Sequence, residues 1–278
     1  MRRYLKSWNG HQIKRKTRSK FVDPKLSVKL IAEGLKRSSL KNKFVHVDRL
    51  PSTNSHSWDL IHNGNESGVV LTSDQFNGKG QRNNNWISSI HGSITFSLFA
   101  QKELPSNVLS MLPILAGLSV QQGLLDFNIN ALLKWPNDIM LNNKKIGGVL
   151  CESNIRGSFS KFIVIGVGLN VNDDQKSLIE NNLKNATSLK AECGKEYVRE
   201  KIICSVIDRL ELNLSQFPKN SKSIINGWES VCSHLNMEID FKNNLETLSG
   251  KFLGLNNDGR AKILLHKKIK KLANIQVI

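Results

Sequence analysis

The chain has 278 residues, 39% of them hydrophobic, enough for one large or two smaller domains with a real core. It contains no run of about eighteen apolar residues and no charged-apolar-small order at its start, so neither a membrane span nor a secretory signal is expected. The formal net charge of +17 sits at the ends: residues 1–45 hold 14 Lys/Arg against 2 Asp/Glu, residues 250–278 hold 7 against 1, and the stretch between them 19 against 20. The chemical motifs lie in that neutral middle, so a nucleic-acid-recognition element is not the natural reading of the charge.

In chain order, residues 1–22 form a basic tail of low apolar content, expected to be poorly ordered, with a transit peptide as the alternative. Pro24–Leu40 reads as one short helix with Asp23 as N-cap. Phe44–Val47 reads as a strand leading to the polar turn Ser52-Thr53-Asn54, and Ser55–Asn63 as a helix. Two hydroxyls and an amide in a row can bind a small polar head group, or simply cap that helix. Val69–Thr72 is a buried strand. The polar segment Gln75–Trp86 after it is a loop in which Gly78 and Gly80 allow backbone amides near an anion and Lys79 and Arg82 add charge; a mobile surface loop is the bland alternative.

Ile94–Phe99 alternates as a strand does, and Asn107–Leu125 is a long apolar helix. Ala131–Trp135 reads as a strand stopped by Pro136, with Asn142-Asn143 as a tight turn and Ile146–Glu152 as the returning strand. In such a hairpin Lys134 and Lys145 can converge on one anion, with Asn137, Asp138 and the pair Gly147-Gly148 beside them. Lys161–Gly168 is a further core strand, ending in Gly166-Val167-Gly168-Leu169-Asn170, where the glycines permit tight packing or room for a planar ligand. Glu196–Phe217 and Ile224–Cys232 are helical, and Met237–Ile278 carries short strand signals split by Asn243-Asn244, Gly250 and Asn257-Asp258-Gly259. The four cysteines show no metal or redox spacing and are expected to be free thiols in a reducing cytoplasm. No phosphate-loop or dinucleotide fingerprint is present.

Lys134-Trp135-Pro136-Asn137-Asp138, then Lys145-Ile146-Gly147-Gly148, then Gly166-Val167-Gly168-Leu169-Asn170, preceded by Ser52-Thr53-Asn54, resembles the biotin–protein ligase family over about residues 45–175. The resemblance implies an α+β fold: a mixed sheet with flanking helices, like class II synthetases, over residues 23–230, and a small C-terminal SH3-like β-barrel over 236–278. It implies a ligase that uses ATP and Mg²⁺ to activate biotin as biotinyl-5′-AMP. The biotin then passes to a lysine of a biotin carboxyl carrier domain, such as that of acetyl-CoA carboxylase. By position, Lys145 and Lys134 would be catalytic. Ser52, Thr53, Asn54, Gln75, Lys79, Gly80, Gln81, Lys145 and Gly148 would bind biotin. Arg82, Trp86, Asn137, Gly168 and Asn170 would bind the nucleotide, and Asp138 the metal.

One departure stands out: the family loop commonly reads Gly-Arg-Gly-Arg-x-Gly-Arg-x-Trp, and here Gln81 and Asn84 replace arginines while Asn83 replaces a glycine. The lost charge is expected to loosen retention of the adenylate, or to leave that task to Arg82. Some family members carry an N-terminal helix-turn-helix, but only one helix is legible before residue 45, so sequence-specific DNA binding is not expected. A cytoplasmic monomer or homodimer without membrane contact is the expected setting. The rival readings are a lipoate-type ligase or acyltransferase of the same fold, a biotin-sensing DNA-binding regulator, and an inactive relative.

Overall fold

A computed structural model describes residues 25–36, 39–181, 183, 185–243, 246–273 and 275–278. The expected basic tail and the Asp23 cap lie outside the described residues. The first helix, α1 (Val28–Gly34), is shorter than its apolar pattern suggested, and its N-cap is Ser27, whose hydroxyl accepts from Leu30 N. After it come β1 (Phe44–Leu50), α2 (Thr53–His62) and β2 (Ser67–Gln75). Helix α2 starts two residues before the expected point because Ser52 itself is the cap, accepting from Ser55 N.

The polar loop holds a two-residue pairing, β3 (Gly78–Lys79) with β4 (Asn85–Trp86), before β5 (Ser93–Pro105). The long apolar stretch splits into a 3-10 segment, Ser106–Met111, and α3 (Leu112–Leu125), with Pro113 in the first turn where its missing N–H costs nothing. By length and composition Ser106–Leu125 would pass for a membrane-crossing helix, but two-thirds of it (67%) is buried inside the protein. The hairpin then unfolds as β6 (Leu132–Lys134), β7 (Asp138–Leu141), β8 (Lys144–Arg156) and β9 (Phe159–Asn170). Asn142 and Asn143 both take positive φ at the β7–β8 turn, as expected of a tight hairpin.

Two short helices escaped the sequence pattern, α4 (Gln175–Glu180) and α5 (Leu189–Cys193), each too short to show a helical period. They precede α6 (Arg199–Gln216) and α7 (Ser221–Ser230).

The main sheet has the order β1-β2-β5-β9-β8-β7-β6, with β1 and β2 parallel and the remaining pairs antiparallel, so it is mixed. Its two faces differ because strand residues alternate. One face (Leu71, Phe96, Ile165 and Leu169 among others) packs with α3, α6 and α7 into the large core. On the other, Val70, Phe99 and Val164 form a small patch under α2. The rest of that second face is left open for the site.

A second, antiparallel sheet follows, of β10 (Glu238–Asn243), β11 (Glu246–Leu255), β12 (Ala261–Leu265), β13 (Lys268–Leu272) and β14 (Ile275–Val277), in the order β13-β12-β11-β10-β14. It is stitched to the main sheet. Trp135 Nε1 donates to Gly259 O at 3.1 Å, Ser110 Oγ to Asp258 O at 2.5 Å, and Leu255 N to Glu229 Oε1 at 2.6 Å.

At this junction His234 is buried, its ring 4.4 Å from that of Phe252, and Nε2 has no partner among the described residues. Burial, helped by the Lys134 charge, pushes its pKa down to about 4. A group whose folded pKa is lowered stabilises the fold fully above its unfolded value and loses that contribution as pH falls towards the folded one. Stability is therefore expected to decline between pH 6.5 and about 4, by about 1.4 kcal/mol per pH unit from this group. Urea titrations across that window should show a shallower decline for His234→Leu; parallel curves would remove His234 as the cause. The four cysteines are free, and burial holds the thiols of Cys204 and Cys232 up at about 11, so both stay protonated.

Candidate active site

Cross-strand register lays the site out in rows on the open face of the sheet. One row runs Thr95, Gly168, Gly148, Asp138, Lys134 across five strands. The next runs Ser97, Gly166, Leu150, and the one beyond it Phe99, Val164, Glu152. The three glycines make a floor without side chains, and what sits on it shows why. A Cβ on Gly166 would lie 2.3 Å from Asn54 Oδ1, and one on Gly168 2.5 Å from the Trp86 indole. Gly148 is less crowded: a Cβ there would meet Asn137 O at 3.4 Å and Asp138 Oδ1 at 3.6 Å, ordinary van der Waals contact.

Over this floor lies a cavity of about 200 Å³. One end is a buried polar network. Gln75 Oε1 accepts from Thr53 N at 2.8 Å and from Thr53 Oγ1 at 3.3 Å. Ser97 Oγ lies 2.7 Å from Thr53 Oγ1 and 2.6 Å from Asn54 Oδ1, and Asn54 Nδ2 donates to Leu150 O at 3.3 Å. Ser52, Thr53, Asn54 and Gln75 are all buried, so a polar head group would meet fixed donors and acceptors there.

The other end is charged. Lys145 Nζ pairs with Asp138 Oδ1 at 2.5 Å, and its backbone is pinned by Lys145 N to Asn185 O (3.0 Å) and Thr187 N to Lys145 O (2.9 Å). Asn137 Nδ2 donates to Val149 O at 2.9 Å. The loop between β3 and β4 closes over both ends. Lys79 Nζ lies 3.3 Å from Ser55 Oγ, and the Arg82 guanidinium donates to Ile275 O on β14. Burial pushes Arg82 below its ordinary pKa, with Asp138 opposing the shift.

Of the expected site residues, Ser52, Thr53, Asn54, Gln75, Lys79, Gly80, Gln81, Arg82, Trp86, Asn137, Asp138, Lys145, Gly148 and Gly168 line the cavity. Lys134 and Asn170 do not. Lys134 stands at the end of the glycine row, directly across from Asp138, the ion-pair partner of Lys145. Asn170 is buried one row beyond Gly168 on the same face of β9; Nδ2 donates to Thr187 O at 3.0 Å, and Oδ1 has no partner among the described residues. Sequence reasoning missed Thr95 and Ser97, whose place in an alternating strand suggests a solvent face. It also missed Gln276 and Val277, brought over the cavity by the second sheet. No sequence signal marks the last two.

A family model described as the biotin/lipoate A/B protein ligase family matches residues 46–170, the segment that builds this cavity. Over that segment, a little under half of the chain, the sequence is similar to the biotin/lipoate A/B protein ligase family. Among curated family members, the bifunctional ligase/repressor of Bacillus subtilis is 27% identical over 256 residues, covering 91% of this chain and 79% of that protein. The biotin–[acetyl-CoA-carboxylase] ligase of Paracoccus denitrificans is 24% identical over 218 residues, covering 76% and 90%. The solved structure of the biotin protein ligase of Aquifex aeolicus in complex with biotin and ATP superposes with a TM-score of 0.73 at 27% identity, covering 85% of this chain and all (100%) of that one. The expected mixed sheet with flanking helices is the fold of this ligase family, followed here by a small all-β unit.

Proposed function

We propose that this protein is an ATP-dependent biotin–protein ligase acting on a biotin carboxyl carrier domain. The observation that carries the reading is the cavity itself, with a buried neutral hydrogen-bonding end and a cationic end on one glycine floor. The ureido head of biotin suits the Thr53–Asn54–Gln75 end. Its carboxylate then points to Lys145. The α-phosphate would share Lys145, and Trp86 over Gly168 offers a face for the adenine.

In the first step a biotin carboxylate oxygen attacks the α-phosphorus, the bond to the bridging oxygen breaks, and diphosphate leaves. Two anions must approach one another, so fixed cations lower the barrier where charge builds. Mg²⁺ would arrive with ATP: among the described residues Asp138 is the carboxylate lining this cavity, and Mg²⁺ is commonly held by one or two carboxylates plus substrate phosphates. In the second step an uncharged lysine amine attacks the acyl carbon. The acyl C–O bond breaks, AMP leaves with that electron pair, and the nitrogen sheds a proton. The closed loop shields the adenylate from water between the steps. Positioning and electrostatics suffice, since no protein nucleophile is needed.

The buried network also separates biotin from lipoate. A dithiolane ring offers nothing to Thr53, Asn54 or Gln75, and a buried polar site left unpaired rejects such a ligand strongly. Exchange of labelled pyrophosphate into ATP is expected with biotin and not with lipoate; exchange with lipoate alone would overturn the proposal. The Gln81 departure has its own test. Gln81 lines the cavity as a neutral side chain. A charge-assisted hydrogen bond contributes about 1.5 kcal/mol or more, so Gln81→Arg is expected to slow release of biotinyl-adenylate about tenfold. Equal release rates would show that Arg82 already does the holding.

A further inference from the structure

Beyond the cavity lies a second chamber of about 670 Å³, which shares Lys79–Arg82, Trp135, Pro136 and Leu150 with the first. Its position follows from strand length. Strand β7 pairs with β8 only from Lys144 to Gly148, so past Gly148 the outer edge of β8 has no strand beside it. The chamber fills that gap, between the edge of β8, the start of α3 at Pro113 and Ile114, and the Gly259-Arg260 turn of the second sheet.

Its charges are sorted. Of its three cations, Arg260 is paired with Asp258, with Nε–Oδ2 at 2.7 Å, while Arg82 donates to Ile275 O and Lys79 Nζ to Ser55 Oγ. Glu152 is the single carboxylate among the lining residues. It shares the open face of β8 with Gly148 and Leu150, two rows from Gly148, or roughly 13 Å along the strand. Glu152 Oε2 accepts from Trp58 Nε1 at 2.8 Å, which fixes the side chain, and Oε1 takes no hydrogen bond from the described residues. A held carboxylate with one oxygen open to a donor, in a chamber continuous with the reaction cavity, suits a primary ammonium.

Resting on the ligase reading above, we infer that this chamber is the entrance for the acceptor lysine and that Glu152 binds its ammonium on the way to the acyl carbon. The ammonium loses one proton to solvent as it leaves Glu152, and the free amine then attacks. The chamber's place beside the second sheet gives that sheet a direct share in the second step.

The test uses the whole protein loaded with biotinyl-5′-adenylate from biotin and MgATP. Wild type and Glu152→Gln are each mixed with Nα-acetyl-lysine amide, a charged amine, or with hydroxylamine, which is uncharged near neutral pH. Glutamine can still accept from Trp58 Nε1, so the fixed geometry survives while the charge is lost. The lysine probe should react about tenfold more slowly with the variant, with the concentration for half-maximal rate raised, while the hydroxylamine rate holds. Equal losses with both nucleophiles, or no loss with either, would overturn the inference. So would a change in pyrophosphate exchange larger than the change in lysine transfer, which would make the chamber a phosphate path. If wild type forms no adenylate at all, the ligase reading itself falls, an outcome visible before any amine is added.

Discussion

Lys145→Ala is expected to cut biotin-dependent pyrophosphate exchange by about a thousandfold, the loss typical of removing one preorganised group that faces developing charge. No other cation in the site can take its place. Lys79 reaches Ser55, Arg82 is held by Ile275 O, and Lys134 stands one strand outside the cavity. The fold should survive. The backbone of Lys145 is tied to Asn185 and Thr187 whatever its side chain, and the Lys145 side chain is already 39% exposed. An exposed pair contributes little to stability, so the unfolding midpoint should move by a few degrees at most. Lys145→Arg keeps the charge but not the shape of the donor, and should recover only part of the rate. A retained exchange rate in Lys145→Ala would show that the cationic end lies elsewhere and would remove the central role given to this residue.

Gly166→Ala is the second large effect, and it acts on binding rather than chemistry. The added methyl would lie 2.3 Å from Asn54 Oδ1, far inside contact distance. Asn54 cannot retreat: it is 3% exposed, it sits in the first turn of α2, and it is held by Ser97 Oγ and Leu150 O. Overpacking a site of this kind costs about 1–3 kcal/mol, so the KM for biotin should rise roughly ten- to a hundredfold. The KM for ATP should change less, because Trp86 rests on Gly168 in the neighbouring row. Steady-state kinetics with each substrate varied in turn decide it. An unchanged KM for biotin would mean that the head group does not lie over Gly166.

Much of the site was legible because the chemistry is carried by short segments. Ser52-Thr53-Asn54, the loop after Gln75, the Asn137-Asp138 turn, Lys145 and Gly148 are each read from a local pattern, and all reach the cavity. Alternation also identified the central strands: β5 and β9 needed only longer ends. The misreadings share one cause, that a local pattern does not say which neighbour lies across the sheet. Lys134 and Lys145 flank one hairpin, and only the register shows that Asp138 on β7 lies between them. Thr95 and Ser97 carry no local mark of a site, being the polar positions of an alternating strand, yet both are buried.

By itself, then, the sequence determined the periodicity of the strands, the turn at Asn142-Asn143, the cap at the start of α2 and the residue types that handle a polar head and two anions. Those properties depend on side chains close together in the chain. Tertiary structure alone decided that Gly148, Gly166 and Gly168 form one floor, and that Gln276 and Val277 reach the cavity from the far end of the chain. It alone decided, too, that Glu152 faces a second chamber at the free edge of β8. These depend on strand register and on where β7 stops, and register is set by the burial of a whole sheet face rather than by any one segment.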